Sequence, residues 1–258
     1  MHENFLKKQR FDRWFIRFSR ITIFVLFLLI WEFTSRTGII DSFIFSSPSQ
    51  IALCFWNMVL DKSIFLHVGV TLYETITSFV LVTVFSIFVA MLLWFSPRLL
   101  AIGEPFLVVL NSLPKSALAP LLIVWLGANR TTIIVAGMSV ALFGSILNMT
   151  TSFKEMDPDK IKLIYTLRGT KLQALTKVVI PGSVPAIISN MKVNIGLCLV
   201  GVIIGEFLAA RNGLGYLIIY SSQVFKLDWL LMSICVLCII AMSLYSLINL
   251  IEKKQMRT

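Results

Sequence analysis

Long apolar blocks separated by short polar breaks organise this chain. A helix that crosses a bilayer needs about 20 apolar residues. The pattern predicts six spans, at about residues 21–33, 71–95, 99–126, 131–149, 184–208 and 229–251. The first is short and is extended by the amphipathic stretch Trp14, Phe15 and Ile16. The third carries Pro105, Pro114 and Pro120 within one crossing. Each proline removes a backbone donor and kinks or breaks a helix. In lipid the freed carbonyls must find other partners. This segment is therefore expected inside a bundle or beside a water-filled path, not facing lipid.

One long polar island, residues 150–185, interrupts the second half. It carries six basic residues: Lys154, Lys160, Lys162, Arg168, Lys171 and Lys177. Asp157 is a suitable N-cap with Pro158 at the first helical position. A helix is expected over about 159–178, with Ile161, Ile164, Leu167, Leu172 and Leu175 as its apolar stripe. Pro181 and Pro185 close the island. Two readings stand: a basic interfacial helix on anionic lipid, or a docking helix for a cytoplasmic protein.

Composition supports the membrane reading. The chain is 57% hydrophobic and 14% charged, where a soluble domain is about 25% charged. The organisation expected is a basic N-terminus (1–20), one membrane domain (21–251) containing the loop at 150–183, and a short tail (252–258). No small-residue cleavage site follows the first apolar block, which ends Phe33-Thr34-Ser35-Arg36, so an uncleaved span is expected. The net charge of +10 follows the rule that basic residues gather on the cytoplasmic side. With the N-terminus inside, sixteen Lys and Arg fall in cytoplasmic segments. Five fall outside: Arg36, Lys62, Arg130, Arg211 and Lys226. Both termini and the polar island are then cytoplasmic, in a multi-pass inner-membrane protein. No basic stripe on a soluble fold points to nucleic acid.

The chemistry-bearing residues exclude more than they assign. No G-x-x-x-x-G-K-[ST] pattern is present, so no ATP is bound through a P-loop in this chain. The two histidines, His2 and His67, lie far apart, and no metal or hydrolase constellation forms. Cys54, Cys198, Cys235 and Cys238 imply no disulfide framework. Cys235 and Cys238 sit in an apolar run where small lipid-embedded residues are expected. Ionisable residues within spans are costly and are functional candidates; these are Glu74, Lys115, Lys192 and Glu206. Glu74 also suits a span end facing headgroups. Glu206 suits a pair with Arg211. Lys192, flanked by Asn190 and Asn194, can snorkel to the inner surface. No duplicated half is visible, unlike many secondary transporters, so a second copy is expected to complete any pathway.

The residues that follow carry a resemblance. Asp157-Pro158, Leu167-Arg168-Gly169-Thr170, and Val178-Val179-Ile180-Pro181 with Pro185 resemble a coupling loop of the form D-P-x-x-x-E-A-A-x-x-L-G-A-s followed by x-V-x-L-P-x-x-x-P. Ser46-Ser47-Pro48-Ser49 resembles an external P-S-P segment. Ser112-Leu113-Pro114 through Ala119-Pro120-Leu121 and Trp125-Leu126-Gly127 resembles the third span of the same family. Gly205-Glu206-Phe207 and Gly213-Leu214-Gly215-Tyr216 resemble the end of its fifth span and the turn that follows. The chain thus resembles, over nearly its whole length, the permease subunit of bacterial ATP-binding-cassette importers, in the sulfonate/taurine/nitrate/bicarbonate branch that also holds thiamine-precursor and riboflavin permeases. It departs at Lys162, where the family usually has Glu, at Leu163-Ile164 for Ala-Ala, and at Gly169, one place late after Arg168.

The resemblance implies an all-α membrane protein with the six-helix type I importer permease fold and a cytoplasmic coupling helix between helices 4 and 5. It implies a non-catalytic transport subunit. Asp157, Pro158, Lys162, Leu167, Arg168, Gly169 and Pro181 would form the coupling loop. Asn111, Pro114, Lys115, Lys192 and Glu206 are candidates for the path. Expected partners are a second copy in a homodimer, two ATP-binding subunits holding ATP and Mg, and an extracytoplasmic solute-binding protein. The chain itself would hold no cofactor. An ion-coupled secondary transporter using Glu74, Glu206 and the lysines is the alternative. The lysines suit an anion such as a sulfonate or nitrate, whereas the aromatic-rich apolar path equally suits a pyrimidine- or riboflavin-like precursor.

Overall fold

The computed structural model describes the backbone of residues 2–255, and all their side chains except those of 2–13, 17, 42–43 and 254–255. Lys7, Lys8, Arg10, Arg13, Arg17, Lys254 and Arg257, which weigh in the predicted orientation, lie outside the described side chains. Among the described residues the regular structure is helical. In chain order the helices are α1 (His2–Arg36), α2 (Ser42–Phe45), α3 (Pro48–Leu60), α4 (Ser63–Phe95), α5 (Pro97–Ser112), α6 (Lys115–Leu126) and α7 (Arg130–Lys154). After these come α8 (Pro158–Thr166), α9 (Lys171–Ala174), a wide π turn (Leu175–Val179), α10 (Ile180–Gly182), α11 (Val184–Ala209), α12 (Leu214–Gln223) and α13 (Leu227–Gln255).

Among the described residues, five helices are long and apolar enough to cross a membrane: Trp14–Arg36 within α1, then α4, α7, α11 and α13. The broken pair α5 and α6, bent by 95°, makes the sixth when taken as one span. The predicted spans are therefore present, but α4 begins at Ser63, eight residues earlier than expected. Local chemistry sets the starts. Ser47, Ser96 and Asn129 accept backbone N–H bonds as N-caps of α3, α5 and α7, and prolines follow the first two, an arrangement that satisfies the unpaired first-turn donors. Helices α3 and α12 fall between the predicted spans and were not foreseen. At 13 and 10 residues they are too short to read as crossings.

Helix α7 lies between α4 and α11. Small residues let these backbones approach, as membrane helix interfaces require. A Cβ on Gly137 would fall 2.6 Å from Ser78 Oγ, and one on Gly201 would fall 2.8 Å from the Ala136 carbonyl. Polar side chains tie the same seam. Ser78 donates to the Ile134 carbonyl at 3.0 Å. Asn190 and Asn194 both donate to Ser145 Oγ, at 2.7 and 2.8 Å. In contrast, none of the apolar window of α1 is buried. That helix is fastened at its C-terminal end, where Ser35 Oγ donates to the Ser46 carbonyl and Glu32 accepts from Ser49.

Candidate functional site

The polar island does not form one helix. Helix α8 starts as expected, with Asp157 accepting from the Asp159 N–H at 2.9 Å, and stops at Thr166. Gly169 N donates to the Ile164 carbonyl (2.8 Å) and Arg168 N to the Tyr165 carbonyl (2.9 Å). These are the paired bonds of a Schellman stop, whose left-handed position usually belongs to glycine. Here Arg168 occupies it, at φ 56°. The glycine that stands one place late in the sequence therefore follows the left-handed residue instead of being it. The chain restarts at Thr170, where Thr170 and Gln173 form a capping box. The π turn then precedes Pro181, whose ring lacks a donor and crowds the carbonyl four residues back.

This break divides the expected apolar stripe. Ala174, Leu175 and Val179 are fully buried; the latter two pack with Ala90 of α4 and with Met149 and Phe153 of α7. Leu163, Leu167 and Leu172 are exposed, as is Tyr165. Lys162 pairs with Asp159 at 3.1 Å on the open surface, where such a pair contributes little. Asp157, Pro158, Lys162, Leu167 and Arg168 thus share one exposed knuckle with the partly exposed Gly169, while Pro181 is itself exposed, just past the buried base at Leu175 and Val179. Lys171, not singled out by sequence, reaches back to the end of α4. It donates to the Phe95 carbonyl at 2.8 Å and lies 5.5 Å from the Trp94 ring centroid.

Three of the path candidates meet at the bend between α5 and α6. Pro114 has no N–H to continue the helix. The Lys115 ammonium donates to the Leu110 and Asn111 carbonyls, at 2.5 and 3.0 Å, which places a cation on the negative end of α5. It also lies 5.4 Å from the Phe143 ring. The flanks of the bend are open: Phe106, Val109, Val124 and Trp125 are all more than 60% exposed. Within one chain the proline-rich segment is therefore not enclosed.

Lys192 and Glu206 stand apart, toward opposite ends of α11. Lys192 pairs with Glu252 of α13, donates to Asn249 at 3.3 Å, and lies 5.9 Å from the Tyr245 ring. Glu206 is fully buried. It accepts from Thr71 Oγ1 at 2.6 Å and from Gly215 N at 2.5 Å. Its carboxylate therefore sits at the start of α12, as helix N-termini favour. Thr71 Oγ1 in turn accepts from Leu214 N at 2.8 Å, and His67 Nδ1 from Gly213 N at 3.1 Å. The expected pair between Glu206 and Arg211 is not among the ion pairs of the described residues. The backbone of α12 holds the carboxylate instead.

Glu74 does not face headgroups. The early start of α4 carries it about three turns inside, where it is fully buried. Both of its carboxyl oxygens are buried without a hydrogen-bond partner among the described residues. A cavity of about 190 Å³ opens above it, between Asn129, Arg130, Arg211 and Asn212. Sequence reasoning missed Thr71, His67 and Gly213 as parts of this knot. The available signal was Thr71, Glu74, Thr75 and Ser78 recurring at helical spacing near the start of a predicted span.

Comparison with known proteins bears on the whole arrangement. The family model described as "Binding-protein-dependent transport system inner membrane component" matches residues 82–256. A probable ABC transporter permease protein of Haemophilus influenzae is 27% identical over 218 residues, covering 84% of this chain and 88% of that protein. A putative aliphatic sulfonates transport permease protein of Bacillus subtilis is 23% identical over 230 residues, covering 89% and 83%. Among solved structures, an inward-facing form of the MetNI methionine ABC transporter superposes with a TM-score of 0.65 at 16% identity, covering 73% of this chain and 94% of that one.

Proposed function

This chain belongs to the family of binding-protein-dependent transport system inner membrane components, and on that footing we propose that it is the membrane-spanning permease subunit of an ATP-driven importer of a small solute. The single observation that carries the reading is the family match over residues 82–256, which spans both the exposed knuckle and the buried base beneath it. The chain does no bond chemistry of its own in this reading. It offers α8 and the turn at Arg168 to a cytoplasmic ATP-binding subunit, and ATP and Mg belong to that partner. The exposed Leu163, Tyr165, Leu167 and Leu172, clustered on one knuckle, support a protein partner there, because contiguous exposed apolar side chains mark interaction surfaces.

Two copies of the chain enclose the path, and two ATP-binding subunits close beneath them. The exposed flanks of the α5–α6 bend support a second copy, because a proline-broken segment in a membrane is tolerated where protein or a water-filled cavity covers it. Asn111, Pro114 and Lys115 line the path at that bend, while Lys192 and Glu206 hold its inner and outer ends. Both termini are cytoplasmic, and an extracytoplasmic binding protein delivers the solute at the outer face. A small anion of the sulfonate or nitrate kind suits Lys115. A heterocyclic precursor of the pyrimidine or riboflavin kind suits the aromatic flanks.

Affinity purification of the tagged chain from its native membrane tests this. ATP-binding subunits should co-purify in equal number, and deletion of residues 160–175 should release them while leaving membrane insertion intact. Uptake by the purified chain alone, driven by a proton gradient, would overturn the reading in favour of an ion-coupled secondary transporter. No observation on the molecule favours that alternative.

A further inference from the structure

The knuckle at α8 has two connections to the membrane domain, and they differ in kind. One is its own base. Ala174, Leu175 and Val179 are fully buried, the latter two against α4 and α7, in a close-packed contact of low compressibility that moves as one with the domain. The other is Lys171, an exposed side chain at the first position of α9. Its ammonium reaches 76 residues back in sequence to the Phe95 carbonyl, at 2.8 Å, and lies over Trp94.

The receiving end of that bond is a joint. Phe95 is the last residue of α4, a helix of 33 residues, and its carbonyl belongs to the negative end of the helix. Ser96 serves at once as the C-cap of α4 and the N-cap of α5, accepting from Leu99 N. Pro97 follows and stiffens the corner. Sixteen residues on, α5 ends at the break where the chain turns by 95° into α6. A displacement of α9 acting on Phe95 is therefore applied to the near end of the broken span. A second bond reaches the same helix, Lys154 of α7 to Glu104 of α5 at 3.2 Å, but both of its side chains are about half exposed, and such pairs are weak.

We propose that Lys171 is a positioning residue that carries movement of the docking knuckle to the α4–α5 joint, and through it to the broken α5–α6 span. The proposal rests on the importer reading above. A lysine is suited to the task because its ammonium satisfies a helix-terminal carbonyl and its stem lies along the Trp94 face, so that the contact has direction as well as attraction. Methionine would keep the stem and lose both charged contacts. Arginine would keep both.

The test uses the complex purified through a tag on this chain and placed in lipid nanodiscs. Spin labels are attached at Leu66→Cys on α4 and Val124→Cys on α6, both exposed positions, with Cys235 and Cys238 replaced by alanine. The distance between the labels is measured before and after trapping with ATP and vanadate, and the ATPase rate is measured alongside. In the parent complex trapping should shift the distance. Lys171→Met should reduce the shifted population about two- to thirty-fold, the span of effects seen for residues that carry coupling, while ATPase activity and co-purification persist. Lys171→Arg should restore it, and Lys154→Met should leave it nearly intact. A Lys171→Met complex that shifts as the parent does overturns the proposal. A parent complex with no ATPase subunit and no shift overturns the importer reading itself.

Discussion

Gly213 offers the sharpest test of the knot around Glu206. Its backbone sits at φ 119° and ψ 162°, a region that is essentially reserved for glycine and costs other residues about 1–3 kcal/mol. A Cβ there would also fall 2.4 Å from both Cδ and Oε1 of Glu206, and forcing extra volume into a packed site costs about 1–3 kcal/mol more. Gly213→Ala should therefore lose about 2–6 kcal/mol. For a chain of this size, each kcal/mol lowers the melting temperature by about 2–4 °C, so the loss is at least about 4 °C. Gly196→Ala is the matched control: this glycine lies within α11 with nothing within 4 Å of the new Cβ, and alanine there should gain about 0.5–1 kcal/mol. Thermal unfolding of both variants in one detergent, followed by tryptophan fluorescence, reads the difference. Adding Glu206→Ala to Gly213→Ala should recover part of the loss, because the steric term acts through that carboxylate. If Gly213→Ala melts with the parent, or the double variant is strictly additive, the account of this knot is wrong.

Other positions separate the same forces. Thr71→Val should cost about 1–3 kcal/mol, because it strands the Leu214 N–H and removes a donor to Glu206. Thr75→Val should be neutral or stabilising in the same assay, since the buried Thr75 hydroxyl has no hydrogen-bond partner among the described residues. Lys192→Met should cost about 1–3 kcal/mol by leaving Glu252 half-buried and unpaired, and adding Glu252→Gln should recover part of that. Arg168→Gly should raise the melting temperature, corresponding to about 1 kcal/mol, because it relieves the left-handed strain, whereas Arg168→Val should lower it.

Much of the fold was legible because lipid imposes a simple requirement. A crossing helix must be apolar for about 20 residues, and blocks of that kind are visible in one dimension. The broken third span was equally legible, since Pro114 removes a donor wherever it stands. Asp157 and Pro158 marked the start of α8 for the same reason: capping is local chemistry. The stop at Arg168 was not legible. No intrinsic preference places arginine in a left-handed turn. The buried base at Leu175 and Val179, packed on α4 and α7, sets where the chain must restart, and the backbone at 168 bends to meet it.

The remaining decisions were tertiary. Sequence showed four charged residues within spans but not how they are satisfied: Glu206 meets Thr71 from 135 residues away and Lys192 meets Glu252 from 60, while Lys115 turns back onto the Leu110 and Asn111 carbonyls that the break at Pro114 leaves open. Glu74 was misjudged because its depth depends on where α4 begins, and the left-handed Lys62 and the cap around Ser63 that set that point lie outside the apolar pattern. The sequence by itself determined which segments enter the membrane, since that depends on the free energy of each segment alone. Only the packed structure decided which buried polar groups satisfy one another, since a hydrogen bond in a low-dielectric interior depends on two positions at once.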